Sequence, residues 1–167
     1  MRVATIAAIV CTLGAVPNIT GAASVGAPIE IDVPSHREWV DTGVDVEPGD
    51  VLELTATGFW WDAWIRTSSD GYSAPLFYKA GKTPRILDGD KYFRLMGRIG
   101  DRSGPPSTDT QLSAHGPDAT FAIGRHVVRT AERSGRLYVF ANDRQGYYWN
   151  NWGQVRLTIT RRTGPPG

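Results

Sequence analysis

The sequence predicts an all-β fold, an antiparallel jelly-roll sandwich of two sheets with about eight strands. Three observations support this fold class. Apolar and polar residues alternate in several segments, Gly and Pro separate those segments, and no segment after the first 23 residues keeps a helical period. Because short strands without helices bury their apolar faces on one another, two packed sheets are the simplest solution.

The predicted strands follow one another with turn residues between them. The first strand is indicated by Ile29, Ile31 and Val33, which alternate with acidic residues. The segment 47–50 (Glu-Pro-Gly-Asp) predicts a turn, since Pro fixes φ and Gly accepts positive φ. Residues 59–90 and 101–118 are irregular and predict long loops, the first with one short element. The predicted strands are 29–33, 39–46, 52–57, 92–99, 119–123, 126–130, 137–141 and 155–160.

The N-terminus predicts a secretory signal peptide over residues 1–23. Arg2 precedes an apolar run from Val3 to Val16, and small residues follow at 21–24. The run is shorter than the roughly 20 residues that span a bilayer, so a membrane anchor or a buried first helix is the weaker alternative. We therefore expect a secreted protein, extracellular or periplasmic, with one domain over 24–163 and a disordered tail at 164–167.

Composition excludes several classes of partner and chemistry. A formal net charge of +1 with mixed signs argues against nucleic acid, and no polybasic segment or long apolar span indicates a membrane partner. The only cysteine, Cys11, lies in the signal segment, so the mature chain would have neither a disulfide nor a thiolate metal site. His36, His115 and His126 lack metal-ligand spacing, and no catalytic motif is present, so we expect no enzyme activity.

The loop between the last two predicted strands concentrates side-chain oxygens at its two ends. It has the sequence Asn-Asp-Arg-Gln-Gly-Tyr-Tyr-Trp-Asn-Asn over residues 142–151, with Asp143 at one end and Asn150 and Asn151 at the other. Ca²⁺ binds six to eight oxygens from carboxylates, amides and carbonyls, so the loop is a candidate calcium site. The alternative is that Asn and Asp occur here because they suit turns, and these residue types alone do not decide between the two.

The spacing Asn-Asp-x2-Gly-x-Tyr-x-Asn-Asn-x-Gly over 142–153 resembles the PA-IL (LecA-type) galactophilic lectins. Further similar segments are 48–51, 56–59 and 96–100, so that the resemblance extends over about 33–159. It implies a calcium-dependent, galactose-binding-domain-like β-sandwich in which the metal is shared between the protein and two sugar hydroxyls.

The resemblance also implies the roles of individual residues. Side chains of Asp143, Asn150 and Asn151 would bind Ca²⁺, together with the main-chain carbonyls of Tyr147 and Asp62. The residues that it assigns to the sugar are Asp143, Arg144, Tyr147 and Asn150, and we add Trp149 and Trp61 as aromatic neighbours.

Two departures from the family pattern bear on the sugar. Tyr147, Trp149 and Trp152 replace smaller residues, and they are expected to crowd the rim of the pocket. The family's sugar-reading histidine has no counterpart, because residues 59–90 contain no His. A galactose-type glycan is therefore one candidate ligand, and the specificity is left open.

Other aromatic residues suggest a wider binding surface. Trp60, Trp61 and Trp64 flank Asp62, and strand alternation would bury at least one of them and expose at least one.

The sequence thus favours a secreted calcium-dependent lectin. The alternative is a non-catalytic interaction or structural domain that has kept the sandwich and lost sugar binding.

Overall fold

The computed structural model describes residues 25–73, 90–104 and 120–164. Predictions for the signal peptide, for most of the two long loops and for residues 165–167 lie outside these ranges. Gly164, which the sequence assigns to the tail, donates its amide to Asp50 Oδ1 at 3.2 Å. In the part of the chain that the structure describes, no helix is long and apolar enough to cross a bilayer.

The described chain consists of strands and one turn of 3-10 helix at Tyr148–Asn150. The strands are β1 Ile29–Pro34, β2 Val40–Val46, β3 Val51–Asp62, β4 Ile65–Thr67, β5 Asp70–Tyr72, β6 Tyr92–Gly100, β7 Phe121–Ala122, β8 His126–Thr130, β9 Gly135–Ala141 and β10 Asn151–Arg162.

These strands form two antiparallel sheets, which confirms the predicted all-β sandwich. The first sheet has the order β1-β10-β3-β4, and β8 also pairs with β3. The second has the order β2-β9-β6-β5, and β7 also pairs with β6. The described ranges hold ten strands rather than about eight, because β4 and β5 lie in a segment predicted to be mostly loop.

The largest correction concerns β3, which the sequence predicts to end at Thr57. The strand continues to Asp62 and pairs with β10 along its whole length. Gly58 has a φ of 96° in the middle of this pairing, yet the side chains still alternate, so Trp60 and Asp62 stay on the inward face. A glycine that indicated a strand end is instead a local distortion within one long strand.

The hydrophobic core lies between the two sheets. The first sheet contributes Leu52, Leu54 and Trp60 from β3, and the second contributes Leu137 and Val139 from β9. Each such large side chain stabilises the fold by about 1.5–3 kcal/mol on burial, as an upper estimate. The two sheets are therefore held together by the apolar residues of the period-two pattern.

At one end of the sandwich the inward faces become polar. On β3, Asp62 follows Trp60 on the inward face, and it pairs across the strands with Asn151, the first residue of β10. Beyond the second sheet, Asp143 lies two residues after Ala141, the last residue of β9; its amide donates to the Ala141 carbonyl at 2.8 Å, and its side chain is buried. Both sheets therefore bring buried polar side chains to the same end, and the loop 142–150 closes it.

Candidate metal and ligand site

Asp143 is buried just beyond the end of β9. Its Oδ2 accepts a hydrogen bond of 2.8 Å from Asn151 Nδ2, and its Oδ1 accepts one of 2.7 Å from the Arg144 amide. The Asn151 Nδ2 also donates to the Ser35 carbonyl at 3.3 Å, which orients the amide. The two ends of the loop are thus joined directly by the hydrogen bond between Asp143 and Asn151.

Asp62 contributes a second buried carboxylate from the other sheet. The Tyr72 hydroxyl donates to its Oδ2, and the Tyr72 ring stacks on Tyr92 with centroids 5.8 Å apart. The resemblance implied only the main-chain carbonyl of Asp62. The structure shows that its side chain is also directed into the polar end of the sandwich.

The side-chain carbonyl oxygens of Asn150 and Asn151 are buried. Among the described residues, neither Asn150 Oδ1 nor Asn151 Oδ1 has a hydrogen-bond partner. A buried acceptor left without a partner costs about 1–3 kcal/mol, so such atoms need an explanation. Two of them on consecutive residues beside two carboxylates are what a bound cation would explain.

Burial makes both carboxylates unfavourable as isolated charges. It raises the pKa of Asp143 to about 6, and repulsion from Asp62 adds to the shift while the Asn151 hydrogen bond opposes it. Burial also raises the pKa of Asp62, against the opposing hydrogen bond from Tyr72 and the positive charge of Arg144. Two repelling negative charges in a poorly solvated place favour a positively charged ligand.

The donor set fits a hard divalent cation such as Ca²⁺. It consists of the carboxylates of Asp62 and Asp143 and the buried amide oxygens of the consecutive residues Asn150 and Asn151. Among the described residues, no group of three or more His, Cys, Asp or Glu side chains that could hold a metal ion occurs, so any cation here would depend on the two amide oxygens as well as the two carboxylates. The set contains none of the nitrogen and sulfur ligands that Zn²⁺ prefers. Water or ligand oxygens would complete six to eight positions.

The middle of the loop is held by Tyr148, which is buried. Its hydroxyl donates to the Ala141 carbonyl at 2.6 Å. The main-chain N–H of Asn151 donates to the main-chain carbonyl of Tyr148. The neighbouring Tyr147 is partly exposed, and its carbonyl accepts a long bond of 3.4 Å from the Asn150 amide. The buried tyrosine thus anchors the 3-10 turn that presents Asn150 and Asn151.

Arg144 lies beside the carboxylates. Its Nε and one terminal nitrogen donate to the Tyr92 hydroxyl at 3.4 and 3.3 Å. Because Tyr92 also stacks on Tyr72, these contacts connect Arg144 with the residue that binds Asp62.

We predicted that three aromatic residues crowd the rim of the sugar pocket, and this prediction is wrong for Trp152. Trp152 pairs across the strands with Trp61, and both rings lie on the outer face of the first sheet, opposite to Asn151 and Asp62. Tyr147 and Trp149 belong to the loop itself, and Trp149 is 80% exposed. Trp61, which the sequence placed at the sugar, therefore belongs to a different face.

The sequence also predicted that at least one tryptophan near Asp62 is buried and at least one is exposed. This prediction is confirmed, since Trp60 is buried and Trp64 is exposed.

Of the predicted site residues, Asp143, Asn151 and Asp62 lie close together and Asn150 directly precedes Asn151, whereas the further residues that hold them were not predicted in that role. Tyr72 lies in a segment predicted to be mostly loop, and Tyr92 was assigned only to a strand. Ser35, whose carbonyl orients Asn151, is 116 residues away in sequence. No local sequence signal identifies such partners, because the pairing of distant strands creates them.

Comparison with known proteins supports the fold. No family model matches the chain, and no curated protein does. One similar solved structure is the EclA N-terminal domain, described as a PllA-like lectin, with a TM-score of 0.56 and 18% sequence identity. The similarity covers 79% of this chain and 94% of that domain, so nearly the whole of that fold has a counterpart here.

Proposed function

We propose that this chain is a secreted, non-catalytic protein that binds carbohydrate in a calcium-dependent manner at the end of its sandwich. The observation that carries the proposal is the convergence of two repelling buried carboxylates with two unpartnered buried amide oxygens. A lectin fold in a similar solved structure adds support for a carbohydrate ligand.

The residues that would hold Ca²⁺ are Asp62, Asp143, Asn150 and Asn151, with the Tyr147 carbonyl as a further candidate. When bound, the metal supplies positive charge and open coordination positions that sugar hydroxyls can fill. The chain's own side chains then fix where a sugar lies. Asp143 and Asn150 would accept hydroxyl hydrogen bonds, and Arg144, Tyr147 and Trp149 would border the sugar.

Calcium titration followed by glycan binding tests this proposal. We expect calorimetry to show one Ca²⁺ per chain and a glycan array to show binding that EDTA removes. No heat with millimolar Ca²⁺ would contradict the metal site. Calcium binding without any glycan ligand would support the alternative of an interaction domain that has lost sugar binding.

A substitution of Trp149 tests whether its ring contacts the sugar or obstructs the sugar pocket. Its ring is the most exposed of the large apolar side chains that the structure describes, so the Trp149→Ala variant should fold normally. If the ring stacks on sugar, we expect about tenfold weaker glycan binding with unchanged calcium affinity. Stronger glycan binding in this variant would show that Trp149 obstructs the pocket.

Secretion depends on residues 1–23, which the proposal assigns to a cleaved signal peptide. N-terminal sequencing of the exported protein should give a start near Ser24. An exported protein that retained Met1, or a protein that stayed inside the producing cell, would contradict this part.

A further inference from the structure

The outer face of the first sheet carries a row of aromatic side chains that the calcium site does not use. Phe59, Trp61 and Trp152 lie on this face, and Arg66 lies beside them on β4. We call these four residues the aromatic platform. Trp61 and Trp152 immediately adjoin the buried residues Asp62 and Asn151 in sequence, so the platform and the calcium site lie on opposite faces of the same strand pair.

The indole of Trp152 is held in one orientation. It stacks on Trp61 with ring centroids 4.4 Å apart and planes within 9°. Its Nε1 donates to the Ala63 carbonyl at 2.9 Å, which occupies its only hydrogen-bond donor. Because its orientation is fixed before any ligand arrives, binding to this ring costs little side-chain entropy.

One side of the stacked pair remains available. The register of β1 with β10 ends at Pro34 and Gln154, and the last backbone bond along this edge is the one that the Ser35 amide donates to the Gly153 carbonyl at 3.0 Å. Among the described residues, no strand pairs with β10 beside Trp152 on this side. Trp152 is 52% exposed. The other side of the pair is bordered by Arg66, the cross-strand partner of Trp61, whose guanidinium lies 3.8 Å from the Phe59 ring centroid.

Polar groups accompany this flat apolar surface. Gln154 is exposed two residues after Trp152, hence on the same face of β10, and Arg66 supplies further donors. The platform therefore alternates aromatic rings with hydrogen-bonding side chains and is not a continuous apolar patch. This combination matches a sugar ring, whose C–H face is apolar and whose rim carries hydroxyls.

We infer that the aromatic platform is a second, metal-independent carbohydrate site for neutral β-linked glycans with equatorial hydroxyls. In such pyranoses the axial hydrogens form the widest apolar face, which can stack on the Trp152 indole. Gln154 and Arg66 hydrogen-bond hydroxyls at the ring's edge. The inference goes beyond the calcium-dependent function and does not depend on it.

Cellohexaose is the probe, since its glucose units carry equatorial hydroxyls on both edges. We expect the full mature protein to bind it equally with Ca²⁺ and with EDTA. Trp152→Ala should weaken the affinity by about tenfold or more, whereas Trp152→Phe, which keeps a flat ring, should retain part of it. Val128→Ala is the matched control, because Val128 is an exposed apolar residue paired with Glu53 on the far half of the same sheet.

Other results distinguish this site from the calcium site. Asp143→Asn should leave cellohexaose binding unchanged, so loss of calcium-dependent glycan binding in that variant would not affect this inference. It is overturned by absent cellohexaose binding at millimolar concentration, by sensitivity to EDTA, or by equal affinities of the wild type and Trp152→Ala. Concentration-dependent dimerisation that Trp152→Ala abolishes would also overturn it, because the platform would then be a contact between two copies of the chain.

Discussion

At the scale of single residues, the site depends on charges that the metal-free fold tolerates poorly. Asp143 is buried beside a second buried carboxylate, and burial raises the pKa of Asp143 to about 6. A bound divalent cation would compensate for both charges. The same residue is thus expected to weaken the metal-free fold and to strengthen the metal-bound one.

Asp143→Asn should separate these two effects. Without metal at pH 7 we expect the variant to be at least as stable as the wild type, since a repelled buried charge is removed. Its Ca²⁺ affinity should fall by roughly 100-fold, because the loop loses a charged ligand. Chemical denaturation with EDTA and with Ca²⁺, together with calorimetry, measures both.

Asp32→Asn is the control for removing an aspartate charge. Asp32 lies on the exposed face of β1 and pairs with Arg156 at 3.0 Å, so its loss should change stability by less than about 1 kcal/mol and leave Ca²⁺ affinity unchanged. A large stability loss in metal-free Asp143→Asn would contradict the proposed role of Asp143.

The raised pKa of Asp143 predicts a pH dependence. The native state holds the Asp143 proton more tightly than the unfolded chain does, because the ordinary pKa of an aspartate carboxyl is 3.8. Metal-free stability should therefore fall as pH rises from about 4 to 6, by roughly 3 kcal/mol at most. Exposed carboxylates with lowered pKa, such as Asp45, act in the opposite sense. The difference between the wild type and Asp143→Asn isolates the effect.

Calcium affinity should change in the opposite direction over the same range. Because Ca²⁺ binds the deprotonated carboxylate, the affinity should rise as pH increases through about 6 and then level off. Calorimetry between pH 5 and 8 measures the profile. An affinity independent of pH over this range would argue against Asp143 as a ligand.

At the scale of elements, the turn between β3 and β4 joins the two proposed sites. Asp62 and Ile65 are paired, so Ala63 and Trp64 form a two-residue turn, and Ala63 has a φ of 49°. This left-handed conformation is unfavourable for a residue with a side chain. The turn ends β3 at Asp62 and presents the Ala63 carbonyl to Trp152.

Ala63→Gly should relieve the strain of this turn. We expect the free energy of unfolding to increase by about 0.5–1 kcal/mol, since glycine adopts positive φ without steric cost. Ala56→Gly is the matched control, because Ala56 is buried in the regular part of β3 and its replacement should destabilise the fold. Denaturant unfolding compares the two, and destabilisation of both to the same extent would contradict the turn geometry.

At the scale of the whole molecule, the candidate metal site spans the two sheets. Asp62 and Asn151 belong to the first sheet, and Asp143 follows β9 of the second. A cation that contacts all three would add a polar link at the end of the sandwich to the apolar packing at its centre. Metal binding and global stability should therefore be linked.

Calcium should raise the unfolding temperature of the entire domain. At a free concentration of 100 times Kd the stabilisation is about 2.7 kcal/mol, which corresponds to roughly 5–10 °C for a domain of this size. Mg²⁺ should shift the temperature much less, because it requires a tighter octahedral geometry and retains its water. Equal shifts with both ions, or a calcium shift that persists in Asp143→Asn, would contradict the proposed site.

The sequence by itself determined most of the strands and the positions of the polar residues at the two ends of the loop. Period-two alternation is a local property, so residues such as Leu137 and Leu157 predict both a strand and the side of it that is buried. Asp143 and Asn151 lie at the two ends of one connection, which carries the chain from β9 in the second sheet to β10 in the first and ends in a hydrogen bond between the two side chains.

Only the tertiary structure decided which distant residues complete the site and on which face the tryptophans lie. The Asp62 carboxylate reaches the loop because β3 continues through Gly58 and pairs with β10 in one register. That register also places Trp61 and Trp152 on the outer face, away from the sugar pocket predicted for Trp61. Register and sheet pairing depend on contacts between segments far apart in sequence, and a shift of one residue would exchange the two faces.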